Sequence, residues 1–291
     1  VPEIRSVLLS LTFLITALNA SGQLPVIYKQ YYQIPALYNP ASADNINKFN
    51  TFLGYESFPE LKGSRNNIYF SFLTNSSVFG RKKPRSAYGI LCTSEKAGSY
   101  INRNRAYLMY CYNLKVESRF LVSAGINAGF YNYYIADNPA GVTRSELTPD
   151  GSAGINIQYL ERFSFGASFN HITGNKENRE KSNLQLYRHY IYTADYLADL
   201  TPEWKMETGI LYRYIPREYS NLHCYNKWEY REIFGAGLLY GARQAGGMVS
   251  ISDKNNDLLN WLFAFSFYVP AGRNALQKFN TFDVSLKIFV K

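Results

Sequence analysis

Apolar and polar residues alternate one by one along most of this chain, and no other feature constrains its fold as strongly. From Asn47 to the C-terminus the alternation recurs in segments of roughly ten residues, the length of a tilted membrane strand. Ala153, Ile155, Ile157 and Tyr159 share one face, opposite Ser152, Gly154, Asn156 and Gln158. Phe163, Phe165, Ala167 and Phe169 oppose Ser164, Gly166, Ser168 and Asn170. Trp204, Met206, Ile210 and Tyr212 oppose Lys205, Glu207, Gly209 and Arg213, and Phe282, Val284, Leu286, Ile288 and Val290 oppose Asp283, Ser285 and Lys287. A helix would scatter these sets around its circumference; a strand sorts them.

The polar face carries Asp195, Lys205, Glu207, Arg213 and Asp283, too many charges for the core of a soluble sandwich. Aromatic residues make up 16%, with 26 Tyr and 19 Phe, a content that suits the interface girdles of a membrane barrel. Hydrophobic residues reach 46% while mean hydropathy stays negative, so the apolar residues are interleaved with polar ones. The expected fold class is all-β: a transmembrane antiparallel β-barrel of fourteen strands. These are predicted near 47–56, 66–75, 86–95, 105–114, 118–130, 151–160, 162–171, 187–198, 203–214, 218–228, 232–242, 246–253, 259–269 and 280–290. The stretches 131–150 and 172–186 are expected to be long external loops, while 114–119, 160–162 and 198–203 make short turns. Arg119-Phe120, Arg162-Phe163 and Arg231-Glu232-Ile233 each follow a short turn and lead to Gly125, Gly166 and Gly235, a repetition that shared hairpin chemistry explains.

Ahead of the barrel, Arg5 precedes an apolar run from Val7 to Leu18, followed by the small residues Ala20 and Gly22. This is the pattern of a secretory signal with Gln23 as the mature N-terminus. The expected division is a signal peptide over 1–22, an N-terminal periplasmic or plug segment over 23–46, and an outer-membrane β-barrel over 47–291.

Little here suggests catalysis, and no cofactor is expected. His171, His189 and His223 fall in no metal-ligand spacing, and His223 and Cys224 point to opposite faces of a strand. Ser168 and His171 sit at opposite parity, so they make no hydrolase pair. The net charge of +9 comes without a nucleic-acid motif, so no nucleic-acid partner is expected. Arg81-Lys82-Lys83-Pro84-Arg85 reads as a solvated periplasmic turn. Parity places Cys92 on the lipid face and Cys111 in the lumen, which excludes a disulfide between them.

One motif stands out. Tyr31, Tyr32, Ile34, Leu37 and Tyr38 crowd apolar surface just before Asn39-Pro40-Ala41, so this segment should be buried against the barrel interior or a second protein. The block Leu37-x-Asn39-Pro40-Ala41-x-Ala43 closely resembles the start of PorP/SprF membrane proteins of the type IX secretion system, with Asp44 where the family has Gly. Tyr88-Gly89-Ile90, Gly98, Ala106-Tyr107, Tyr110, Ser123 to Gly129, Asp150, Gly154, Gly166-Ala167-Ser168, His171 and Phe282 to Leu286 follow in similar order. The resemblance implies a FadL-like barrel without enzymatic activity, serving type IX secretion, gliding motility or surface attachment. It implies partners among secretion components and secreted cargo or adhesins. It also marks Leu37, Asn39, Pro40, Ala41 and Ala43 as partner-binding or plug residues. The alternative function is a FadL-like or porin-like transporter of a small solute.

Overall fold

The computed structural model describes residues 27–43, 47–59, 65–79, 85–98, 100–117, 119–135, 144–173, 187–216, 220–241, 244–254, 259–271 and 280–290. The expected signal peptide, Asp44, the Arg81–Pro84 part of the basic run and residues 174–186 lie outside these.

Fourteen antiparallel strands close into one barrel. They are β1 (Phe49–Phe58), β2 (Arg65–Asn75), β3 (Ser86–Ala97), β4 (Ile101–Val116), β5 (Phe120–Ile135), β6 (Arg144–Tyr159), β7 (Phe163–Asn170), β8 (His189–Asp199), β9 (Trp204–Tyr214), β10 (Asn221–Tyr230), β11 (Phe234–Gly241), β12 (Gln244–Asp253), β13 (Asn260–Pro270) and β14 (Thr281–Val290). Each strand pairs with its chain neighbours, and β1 also pairs with β14 from Phe49↔Val290 to Ser57↔Phe282. Closure leaves no unpaired sheet edge, the condition for strands to cross lipid.

The alternation sorts as parity requires. Leu108, Ile126, Phe165, Leu238 and Val249 lie on the outer wall, each more than half exposed, whereas Asn113, Asn127, Asn156, Arg213 and Asp283 are buried inside. Two bands of outward aromatics mark the membrane interfaces. At the end with the shorter turns, Phe120 packs on Tyr159 (centroids 4.8 Å apart), Phe163 on Tyr196 (4.6 Å) and Trp204 on Tyr230 (5.0 Å). Toward the other end Phe169 stacks on Tyr190 (5.2 Å) and Tyr190 on Tyr214 (6.3 Å). Cys92, partly exposed, and Cys111, buried, are both free and sit on opposite faces.

The structure corrects three expectations. Residues 131–150 are mostly strand: β5 and β6 stay paired up to Ile135↔Arg144, and β4 begins at Ile101 rather than 105. In this extension several outward positions are polar (Asn102, Asn104, Asn132, Ser145) beside outward Tyr134 and Leu147, so alternation persists with a weaker hydrophobic signal. Second, His171 does not face away from Ser168. It has a left-handed φ of 57°, which breaks strand parity and buries both side chains inside the barrel. Third, the turn repeat aligns differently. Leu160-Glu161-Arg162 and Arg231-Glu232-Ile233 are equivalent three-residue connections, closed by Arg162 N–H to Tyr159 O (3.1 Å) and Ile233 N–H to Tyr230 O (3.0 Å). Ile233, not Arg231, therefore corresponds to Arg162.

Candidate functional site

Residues Ile27–Ala43 run inside the barrel. Three single-turn 3-10 helices, Tyr31–Gln33, Pro35–Leu37 and Pro40–Ser42, fold this stretch back on itself. Pro35 and Pro40 each open a turn, where the missing N–H costs nothing and φ is preset. A turn this short leaves many backbone groups unpaired. Side chains of the segment and of the wall take up several of them: Tyr28 N–H donates to the Tyr38 hydroxyl (2.8 Å), and Ser168 Oγ (2.6 Å) and Asn170 Nδ2 (3.3 Å) donate to Tyr38 O.

The half of the segment nearer the long loops is aromatic. Tyr28 packs on Tyr69 (4.5 Å) and Phe52 (5.9 Å), and Tyr32 stacks on Tyr225 (4.5 Å). Ile27, Tyr31, Ile34 and Tyr38 join one buried cluster with Ile191, Leu211, Leu239 and Tyr268 from the wall. Each such side chain contributes about 1.5–3 kcal/mol when taken from water. Lys29 is buried with them, donates to Gly241 O (3.4 Å) and lies over the Tyr268 ring. Burial pulls its ammonium down to about 8, with Glu56 opposing. Gln30 Nε2 donates to Ser266 Oγ (3.0 Å) and to Asp283, while Ser285 Oγ donates to Gln30 Oε1 and Gln33 Oε1 (both 3.0 Å).

The structure gathers Leu37, Asn39, Pro40, Ala41 and Ala43 against β4–β7 and the foot of β2 and β3. Asn39 caps the third turn: its Oδ1 accepts from Ala41 N–H (3.0 Å) and its Nδ2 donates to Ile155 O on β6 (2.9 Å). Asn39, Pro40 and Ala41 lie in a notch of three glycines, Gly125 facing Pro40 and Ala41, and Gly154 and Gly166 facing the Asn39 side chain. A Cβ on Gly125 would stand 2.3 Å from the Pro40 carbonyl carbon, one on Gly154 2.1 Å from Asn39 Oδ1, and one on Gly166 2.6 Å from Asn39 Nδ2. Only hydrogen in place of a side chain admits so close an approach. Hairpin chemistry therefore does not account for Gly125; a Cβ on Gly166 would meet Thr193 of β8 (2.5 Å) as well as Asn39, and Gly235, whose Cβ would meet Ser250 on the neighbouring strand, takes no part in the notch. Ala36 and Ala43 pack with Leu73, Ala87, Leu91, Met109 and Cys111, and Leu37 is partly buried against both clusters.

Asn39→Ala should leave the buried Ala41 N–H without its acceptor, at about 1–3 kcal/mol, and remove the second donor to the Ile155 carbonyl, which keeps its bond in the sheet. Asn39→Asp keeps the cap but sets a carboxylate against the Ile155 carbonyl. Hydrogen exchange of the 39–42 amides in micelles should accelerate at least about tenfold in both variants, with barrel-strand amides unchanged. Wild-type exchange in Asn39→Asp would mean that the bond to Ile155 contributes nothing.

Sequence reasoning also missed a polar cluster: Asp150 Oδ2 accepts from the Tyr107 hydroxyl (2.5 Å) and lies 2.5 Å from His171 Nδ1. The three residues come from separate strands and a turn, and the left-handed backbone at His171 has no sequence signature. Among the described residues, no group of His, Cys, Asp or Glu has the arrangement of a metal site.

Solved structures with this architecture include a Pseudomonas aeruginosa FadL homologue (9% identity, TM-score 0.56, covering 93% of this chain and 99% of that one). The CymD monoaromatic hydrocarbon channel matches at 11% identity and TM-score 0.56, over 90% of this chain and 92% of that one. The Ralstonia pickettii toluene transporter TbuX matches at 12% and 0.51, over 94% and 95%. At such identities the likeness is one of fold. No curated protein sequence matches significantly. The family model for type IX secretion system membrane protein PorP/SprF matches residues 20–288, nearly the whole chain. With its closed barrel and the Asn39-Pro40-Ala41 block seated in that barrel, this chain belongs to the PorP/SprF family of type IX secretion system membrane proteins.

Proposed function

We propose that this outer-membrane barrel is an accessory of type IX secretion that binds proteins at both ends: secreted cargo or adhesin at the outer, long-loop end, and periplasmic secretion components at the short-turn end. Through adhesin cargo it would also serve gliding motility. Residues 1–22 act as the signal peptide, and 23–46 as a plug whose Leu37, Asn39, Pro40, Ala41 and Ala43 hold it in register with the wall. The observation that carries this reading is the occupied lumen. The inner segment is bonded to β6, β7, β11, β13 and β14. An adaptor needs a rigid, closed body, whereas a transporter needs a continuous path.

The test is isolation of the tagged protein from membranes in mild detergent, followed by reconstitution. Stable co-isolation of type IX components or a secreted adhesin, with no solute flux through proteoliposomes, is the expected result. A protein that purifies alone and carries a small solute across the bilayer would replace the adaptor with the transporter.

A further inference from the structure

Above Leu37 and Tyr38, on the long-loop side of the inner segment, lies a cavity of about 30 Å³. It has room for two or three waters, or for one small planar group. Its wall holds Arg105, Arg213, His171 and His189 together with Tyr69, Tyr107, Asn127, Ser152 and Asn170, and among the described residues no carboxylate lines it. Two acids lie next to the lining residues: Glu95 accepts from Arg105 Nη2 through Oε1 (2.7 Å), its Oε2 lying 3.8 Å from Arg103 Nη1, and Asp150 is held by Tyr107 and His171.

The guanidinium of Arg105 carries the argument. Its side chain is only 10% exposed, and its buried Nε–H has no hydrogen-bond partner among the described residues. A buried unpaired donor costs free energy unless a ligand or water completes it, and a guanidinium fork matches the two oxygens of a carboxylate or phosphate. The wall toward the long-loop end continues the same chemistry, with Arg105 over the Tyr131 ring (5.7 Å) and Arg103 over Tyr133 (5.8 Å). We propose that this cavity binds the oxyanion group, carboxylate or phosphate, of a small polar anion entering from the long-loop mouth. The site is independent of the secretion reading.

The test uses full-length protein in non-ionic detergent, titrated calorimetrically with acetate, inorganic phosphate and the neutral isostere acetamide at constant ionic strength set with sodium chloride. Acetate or phosphate should bind at least about tenfold more tightly than acetamide and raise the melting temperature. The tighter of the two names the preferred group. Arg105→Lys keeps a charge toward Glu95 but removes the fork, and should weaken binding about tenfold. Ile191→Phe grows into the cavity from β8 and should abolish binding while the barrel stays folded, judged by heat-modifiable gel mobility. Oxyanions that bind no better than acetamide would overturn the proposal, as would either variant binding them like wild type while folded.

Discussion

Replacing Asn39, Pro40 and Ala41 with Gly, Ser and Gly should leave membrane insertion intact and reduce surface display of the secreted partner about tenfold or more. Insertion survives because strand pairing begins at Phe49 and does not pass through the block. Display falls because the change removes the cap on Ala41, the bond to Ile155 and the fit into the glycine notch, while adding two glycines' worth of backbone freedom. The lost cap alone costs about 1–3 kcal/mol, and with the lost fit this loosens the turn at 39–42 from the wall while the aromatic half stays packed. Outer-membrane fractionation and whole-cell immunolabelling of the partner check the two halves separately. Normal insertion with undiminished display would reduce the block to a structural turn and favour the transporter.

The second large effect comes from the wall side. Gly125→Val would force a side chain into Pro40 and Ala41 backbone atoms, 2.3–2.5 Å from its Cβ, where no flexible chain end can yield. Overpacking of this kind costs about 1–3 kcal/mol where neighbours can shift, and more where they cannot. Taking about 3 kcal/mol, hydrogen exchange across residues 31–42 should rise about 100-fold, and conductance in planar bilayers should appear or increase. Gly247→Ala is the control, because its Cβ would meet nothing nearer than 3.8 Å. Equal exchange in both variants would mean that the notch does not hold the segment.

The barrel was legible in the sequence because a strand residue has only two possible environments. Once Phe163, Phe165 and Phe169 share a face, Ser164, Ser168 and Asn170 are assigned without further information. The count of fourteen strands follows from repeating that inference. The reading weakened where composition stopped tracking environment. In Tyr131-Asn132-Tyr133-Tyr134 tyrosines occupy both faces and Asn132 lies outward, so apolar and polar residues no longer alternate cleanly, and paired strand looked like loop. Within the candidate site, Asn39 and Pro40 were conspicuous from local sequence, as was the apolar surface around them. Their counterparts Gly125, Gly154 and Gly166 were visible only as glycines. What makes them matter is contact with residues more than eighty positions earlier, and no local periodicity encodes that. Asp150 and His171 were hidden for the same reason, compounded by one left-handed residue.

The inner segment also touches both sides of the line along which the barrel closes. Tyr28 leans on Phe52 of β1, while Gln30 and Gln33 are bonded to Asp283 and Ser285 of β14. The same stretch of chain leads directly into β1 at Phe49. Tension applied ahead of Ile27 would load the Tyr28 and Lys29 contacts and then the Gln30 and Gln33 bonds, on the same chain that enters β1, where Phe49 faces Val290. Traction at one mouth would therefore reach the seam between the first and last strands through the contents of the cylinder.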